Sequence, residues 1–175
     1  MKLFSGFGFK NEFDLFHNFL PENYEKTQFS TAGFSMGAIK AVLHAIQSEN
    51  RVEKLYLFSP AFFQDKDDNF RENELKIFAE KQELYMKFFY RKCGKINDEY
   101  KDKNPNINDL KFLLNHKWEL NDFNALKNTE ITIFLGEKDA IMDSKKAMRF
   151  FAQTHAQIFY IKNANHTLQG GLWHN

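Results

Sequence analysis

The sequence predicts an α/β protein: a mostly parallel sheet of about five strands that carries a helical insertion. Three observations predict it. Short apolar runs recur along the 175 residues, and stretches with helical spacing separate them. One long segment, residues 61–130, is charged and studded with Phe, Tyr and Leu in helical patterns, without a convincing strand. Alternating strands and helices form parallel sheets covered by helices. An insertion of that size between neighbouring strands reads as a helical cap over one end of the sheet. Ligands bind at the carboxyl ends of such strands, so a cap there would roof the site. The sheet and its helices are expected over residues 1–60 and 131–170, the cap over 61–130, and a C-terminal tail over 171–175.

Lys2–Phe4 is the first strand, and it runs into the turn Gly6-Phe7-Gly8. In "NEFDLFHNFL", Phe13, Leu15, Phe16, Phe19 and Leu20 fall close to one helical face. Pro21 ends that stretch, because it cannot continue a helix. Gln28–Gly33 is a second strand of modest hydrophobicity, and the Ala-rich "SMGAIKAVLHAIQ" continues from it as a helix. Lys54–Phe58 is the third strand and stops at Ser59-Pro60. Ile131–Leu135 and Gln157–Ile161 are the last two, with helical "SKKAMRFFAQ" between them.

Composition narrows the function. With 43% hydrophobic and 27% charged residues the chain is an ordinary globular domain. The 21 Phe reflect first an AT-rich coding sequence, and they favour aromatic rings in a core or pocket. A net charge of +1 argues against nucleic acid as a partner. Cys93 is the single cysteine, so no internal disulfide or Cys-based metal cluster is expected, which suits a reducing cytoplasm. Cys93 sits among Arg and Lys but has no base and orienting group beside it, which makes it a poor nucleophile. No apolar run reaches the length of a membrane span, and "LFSGFGF" is too short and too broken for a signal peptide.

Gly33–Gly37, "GFSMG", carries the chemistry. It matches G-x-S-x-G between a strand and a helix, where a tight turn pushes the Ser35 hydroxyl out at the sheet edge. The helix behind it aims positive peptide dipoles at the same point. A serine hydroxyl needs a base, and the base needs an orienting acid. The strand "ITIFL" is followed by "GEKDAIMD" and the strand "QIFYI" by "KNANHTL", which nominates Asp139 and His166. Asp143 is a rival four residues on, with Asp139 preferred because it lies nearer the strand end. His17 and His44 fall on expected helices, His116 in the cap, His155 before the last strand and His174 in the tail.

The opening Gly-x-Gly turn could cradle a phosphate or help to bind an oxyanion. A dinucleotide fingerprint needs a third glycine where Asn11 stands, and an acid that "FSTAGFS" lacks. No G-x-x-x-x-G-K-[ST] occurs either. No cofactor is therefore expected. An oxyanion hole needs the N–H after the nucleophile, here Met36, and one from an early loop, here Phe7 or Gly6.

In this order, "FSGFG", "GFSMGA", "LFSP", "GEKDAI" and "NHTLQ" resemble the α/β-hydrolase carboxylesterases of biotin synthesis. The likeness is strongest to the small BioV-type pimeloyl-[acyl-carrier-protein] methyl ester esterases, and runs from Met1 to about Gly170. It implies an α/β-hydrolase fold truncated to about five strands. It implies hydrolysis of the methyl ester of pimeloyl-ACP, with Ser35 as nucleophile, His166 as base, Asp139 as its orienter, and Phe7 and Met36 as oxyanion donors. Where many members have His-Gly before the oxyanion residue, this chain has Ser5-Gly6. The implied partner is an acidic acyl carrier protein. Lys87, Arg91, Lys92 and Lys95 lie in "LYMKFFYRKCGKIN" with no acid among them and would suit it, Lys87 and Arg91 sharing a helix face. Phe62, Phe63, Phe88 and Phe89 are candidates for an acyl pocket. The alternative is a general short-chain carboxylesterase or thioesterase with no carrier partner.

Overall fold

A computed structural model describes residues 1–22, 24 and 28–171, so all but the first residue of the expected tail lies outside the described residues. Five strands, β1 (Lys2–Phe4), β2 (Ser30–Phe34), β3 (Lys54–Phe58), β4 (Glu130–Gly136) and β5 (Gln157–Ile161), form one sheet in the order β1-β2-β3-β4-β5. Every neighbouring pair is parallel. β2 lies later in the chain than its apolar run suggests. The Phe29 side chain is half exposed, while Phe34 is drawn into the ladder opposite Phe58.

Side-chain alternation gives the sheet two different faces. Leu55, Leu57, Ile131, Ile133 and Leu135 point to one side, where they pack with α1 (Met36–Gln47) and α6 (Ser144–Phe151). Ala32, Tyr56, Phe58 and Phe134 point to the other. On that second face Phe34, Phe58, Phe134 and Phe159 stand in register across four strands. Phe58 stacks on Phe134 at 5.1 Å and Phe134 on Phe159 at 5.2 Å. Much of the Phe content is thus structural.

The segment "EFDLFHNF", Glu12–Phe19, covers this aromatic face as a 3₁₀ helix, not an α-helix. A three-residue period explains the difference. In a 3₁₀ helix residues i and i+3 eclipse, which lines up Phe13, Phe16 and Phe19. Phe16 stacks on Phe58 at 4.5 Å, Phe13 lies 6.3 Å from the same ring, and Phe19 reaches Phe134 at 5.2 Å.

Between β3 and β4 run α2 (Asp68–Glu80), α3 (Gln82–Cys93), α4 (Ile107–Asn115) and α5 (Leu120–Ala125). Asp67 caps α2 by accepting the Phe70 N–H at 2.8 Å. The break at Lys81 turns the chain from α2 into α3. Lys40 of α1 meets Asp109 of α4 at 3.0 Å. Toward the end of the insertion, Trp118 and Phe123 pack on Phe151 of α6, and the Trp118 indole N–H donates to the Ala61 carbonyl at 2.8 Å. Among the described residues, no helix is long and apolar enough to cross a membrane.

Candidate active site

β2 delivers Ser35 to the carboxyl edge of the sheet. Its backbone is held at φ 52°, ψ −114°, a conformation that side chains rarely adopt. Neighbouring backbone holds it there: the Ser35 N–H donates to the Phe58 carbonyl at 2.9 Å, and the Ser35 carbonyl accepts the Ala61 N–H at 3.1 Å. The flanking glycines answer to close packing. A β-carbon on Gly33 would collide with the Gly37 carbonyl, and one on Gly37 with the Phe4 carbonyl. The G-x-S-x-G spacing is therefore what lets α1 leave the strand at this angle.

Two loops at the same edge bring the other groups. After β4 the chain turns so that Asp139 Oδ1 accepts the N–H groups of Ile141 and Met142, at 2.8 and 3.1 Å. These bonds fix the carboxylate and leave Oδ2 pointing at His166 Nδ1, 2.6 Å away. After β5, Asn165 Oδ1 accepts the backbone N–H groups of Thr167 and Gln169, each at 3.0 Å, and so shapes the turn that holds His166. His166 Nε2 lies 3.1 Å from Ser35 Oγ. His166 and the Asp139 side chain are fully buried, and Ser35 is 4% exposed. Residues 131 positions apart thus form one hydrogen-bonded line.

Asp143 is not part of that line. Its carboxylate caps α6, accepting the N–H groups of Lys145 and Lys146 at 3.1 and 3.0 Å, and the Lys146 N–H holds it below the ordinary carboxylate range. Cys93 is fully buried, and its burial, reinforced by the Asp139 charge, pushes the thiol well up, which keeps it protonated and unreactive.

Phe7 of the opening turn lines one cavity with Ser35. The Gly6 N–H is occupied by Glu12 Oε1 at 2.8 Å, so of the two donors considered from sequence only Phe7 is free to serve. Among the described residues no acceptor is bonded to the Phe7 N–H, and the Met36 N–H at the first position of α1 lies ahead of the helical ladder. Glu12 is the residue that sequence reasoning missed here. It looks like any acid opening an amphipathic stretch, and only the folded chain shows it buried.

Ser35 and Phe7 both line a cavity of 560 Å³ beneath α2, α3 and α4, a size suited to a small-molecule substrate. Phe63, Phe88 and Phe89 line it, as does Tyr85, whose hydroxyl donates to Glu74 Oε2 at 2.7 Å. Phe62 does not line it: it packs in the core against Phe150 and Phe151, at 5.8 and 6.2 Å. Ile77, Leu84 and Phe88 form an exposed apolar rim. Of the four basic residues from the sequence, Lys92 lines this cavity, joined by Lys66 and Lys81, which sequence reasoning passed over. Lys87 lines two separate grooves instead, Arg91 lies 4.7 Å over the Phe88 ring, and Lys95 follows α3 in an exposed loop. The helical spacing of Lys81, Leu84, Tyr85, Phe88 and Lys92 was the available signal for a shared cavity wall.

No protein-family model and no curated protein matches the sequence. Solved structures do. An esterase from Exiguobacterium antarcticum is 13% identical with a TM-score of 0.67, over 95% of this chain and 85% of that one. A soluble variant of monoglyceride lipase from Saccharomyces cerevisiae is 15% identical with a TM-score of 0.55, over 94% and 78%. Naproxen esterase from Bacillus subtilis is 16% identical with a TM-score of 0.57, over 86% and 57%. The chain spans little more than half the length of the Bacillus subtilis proteins it matches, 55% of one and 57% of another. The fold is that of the α/β hydrolases, reduced to a five-stranded sheet.

Proposed function

We propose that this α/β-hydrolase fold works as a serine carboxylesterase and that its substrate is the methyl ester of pimeloyl-ACP, hydrolysed to pimeloyl-ACP and methanol in biotin synthesis. The observation that carries the hydrolytic part is the buried line Asp139–His166–Ser35. With Nδ1–H donated to Asp139, His166 presents Nε2 as the acceptor for the Ser35 proton. Ser35 Oγ attacks the ester carbonyl, and His166 takes its proton. The oxyanion is met by the N–H groups of Phe7 and Met36. His166 then protonates the departing methoxide, methanol leaves, and a water deprotonated by His166 attacks the acyl-enzyme. Collapse of the second tetrahedral intermediate returns the proton to Ser35 and frees the acid.

The substrate part rests on the sequence resemblance, and the site accommodates it. The cavity reaching Ser35 has apolar walls for an acyl chain. Lys81 and Lys92 at that cavity, which Glu74 and Glu80 also line, would meet the negative charge of a carrier, with exposed Lys87, Arg91 and Lys95 nearby on the same insertion. A carrier-bound substrate and a lone cysteine would both suit a reducing cytoplasm.

The exposed apolar rim of Ile77, Leu84 and Phe88 supports a second reading, a general short-chain carboxylesterase or thioesterase that takes free esters. Turnover of pimeloyl-ACP methyl ester beside a panel of p-nitrophenyl esters separates the two, with Ser35→Ala as control. Loss of Ser35 is expected to lower kcat by about 10⁶-fold. Growth without biotin in a strain lacking its own esterase, restored by wild type and not by Ser35→Ala, supports the carrier-linked substrate. Failure to restore growth, with rapid turnover of free esters, favours the second reading.

A further inference from the structure

Glu12 opens the 3₁₀ helix with its side chain turned inward, and it has no exposed surface. Oε1 accepts the Gly6 N–H at 2.8 Å, while Oε2 is buried with no hydrogen-bond partner. Burial pushes this carboxyl above its ordinary range, against the pull of the Glu12 and Gly6 N–H groups and of the Ser5 hydroxyl. A carboxylate in such a place costs stability, since an apolar residue would fill it without an unpaired oxygen. Its contact explains what it provides.

The loop it grips is the one that carries the Phe7 N–H. Both polar groups of Gly6 are engaged, the N–H by Glu12 and the carbonyl by the Phe9 N–H at 3.1 Å. On the other side of Phe7, the Gly8 carbonyl accepts the Asp102 N–H at 2.8 Å and the Tyr90 hydroxyl. Gly8 itself sits at φ +74°, the left-handed region, where a residue with a β-carbon would be strained. The turn is thus held on both flanks, no acceptor among the described residues holds the Phe7 N–H, and Phe7 lines the same cavity as Ser35. Of these ties, only the one to Glu12 is made by a carboxyl side chain.

We infer that Glu12 is a positioning residue for the oxyanion site: through the Gly6 N–H it anchors the peptide immediately before the one that presents the Phe7 N–H, and so fixes where the loop enters the site of the reacting carbonyl. This rests on the esterase reading. It makes Glu12 matter to the transition state more than to substrate binding, although it touches neither substrate nor Ser35.

The test measures kcat and KM on p-nitrophenyl butyrate, affinity for butylboronic acid as a tetrahedral mimic, and thermal melting. It compares wild type, Ser35→Ala, Glu12→Gln, Glu12→Asp and Glu12→Ala. Glu12→Gln keeps an oxygen for the Gly6 N–H and is expected to retain kcat. Glu12→Asp, shorter by one methylene, and Glu12→Ala release the loop. Each is expected to lose about 10- to 100-fold in kcat with little change in KM, a misaligned donor costing less than the 10²–10³ of a deleted one. Boronate affinity falls in step. Should Glu12→Ala not fold, the aspartate variant carries the comparison. Glu12→Asp that stays folded with wild-type kcat and boronate affinity overturns the inference, as does a loss that tracks only the folded fraction. Absence of Ser35-dependent turnover in wild type overturns the esterase reading, and the role of Glu12 with it. Ser35-dependent turnover indifferent to Glu12 overturns the role of Glu12 alone.

Discussion

His166 Nδ1 and Asp139 Oδ2 stand 2.6 Å apart, and neither side chain has any exposed surface. Two backbone N–H groups hold the other oxygen of that carboxylate, so its direction is fixed before any substrate arrives. Asp139→Asn keeps the shape and removes the charge that stabilises a protonated His166. Its kcat is expected to fall by about 10⁴-fold with KM little changed. Asp143→Ala, in contrast, is expected to leave kcat within about threefold and to cost about 1 kcal/mol of stability through the lost helix cap. Ester kinetics and urea melts of the two variants check both. Equal losses of kcat would return Asp143 to contention.

Glu12 also makes a prediction for stability against pH. Its folded pKa lies above the ordinary 4.5, so the folded state binds more protons than the unfolded chain between those two values. The stability it permits is fully present below pH 4.5 and declines as pH rises through the folded pKa. Glu12→Gln cannot ionise and is expected to escape that decline. The melting temperature of Glu12→Gln relative to wild type should therefore rise across this window and level off above it. Melting curves at a series of pH values check this, and a constant difference contradicts it.

The cavity wall predicts chain-length selection. Leu113 lies in the wall and is 5% exposed. Leu113→Phe narrows the cavity and is expected to lower kcat/KM for an octanoate ester by about 10-fold or more, roughly the worth of a methylene or two of apolar fit. Hydrolysis of the acetate ester is expected to stay near wild type. A chain-length series of p-nitrophenyl esters checks it.

The placement of the basic residues predicts unequal roles for them. Lys92 lines the cavity with Ser35, whereas Lys87 faces other grooves. Lys92→Glu is expected to raise KM for a carrier-linked ester about 10-fold at low salt, with a smaller effect above a few hundred millimolar salt. Lys87→Glu is expected to change it less, and neither should alter a free p-nitrophenyl ester much. Salt titrations of both variants give the comparison.

The sheet was legible chiefly through the apolar runs of β3, β4 and β5 with helical stretches between them, and the turn at Ser35 was legible because its glycines answer to local collisions at Gly33 and Gly37. Asp139 and His166 were found by position alone, since loops after adjacent parallel strands meet at one edge. What could not be read depends on distant packing. Glu12 has the same local appearance as a surface acid. Phe62 and Phe63 are adjacent and both buried in the core, yet only Phe63 also reaches the cavity, while Phe62 packs against the distant Phe150 and Phe151. The 3₁₀ winding of Glu12–Phe19 was present in the spacing of Phe13, Phe16 and Phe19, but that row also fits an α-helical face within a few tens of degrees.

The strand order, which follows the chain from β1 to β5, bears on how the protein is made. Each strand leaving the ribosome can add to the open edge of the sheet already formed, and none has to wedge between two that are paired. The elbow at Ser35 needs only β3 to be fixed in place, through Phe58. His166 lies after β5, so the hydrogen-bonded line from Asp139 to Ser35 can close only once β5 has joined the sheet, later than the turn at Ser35 can form.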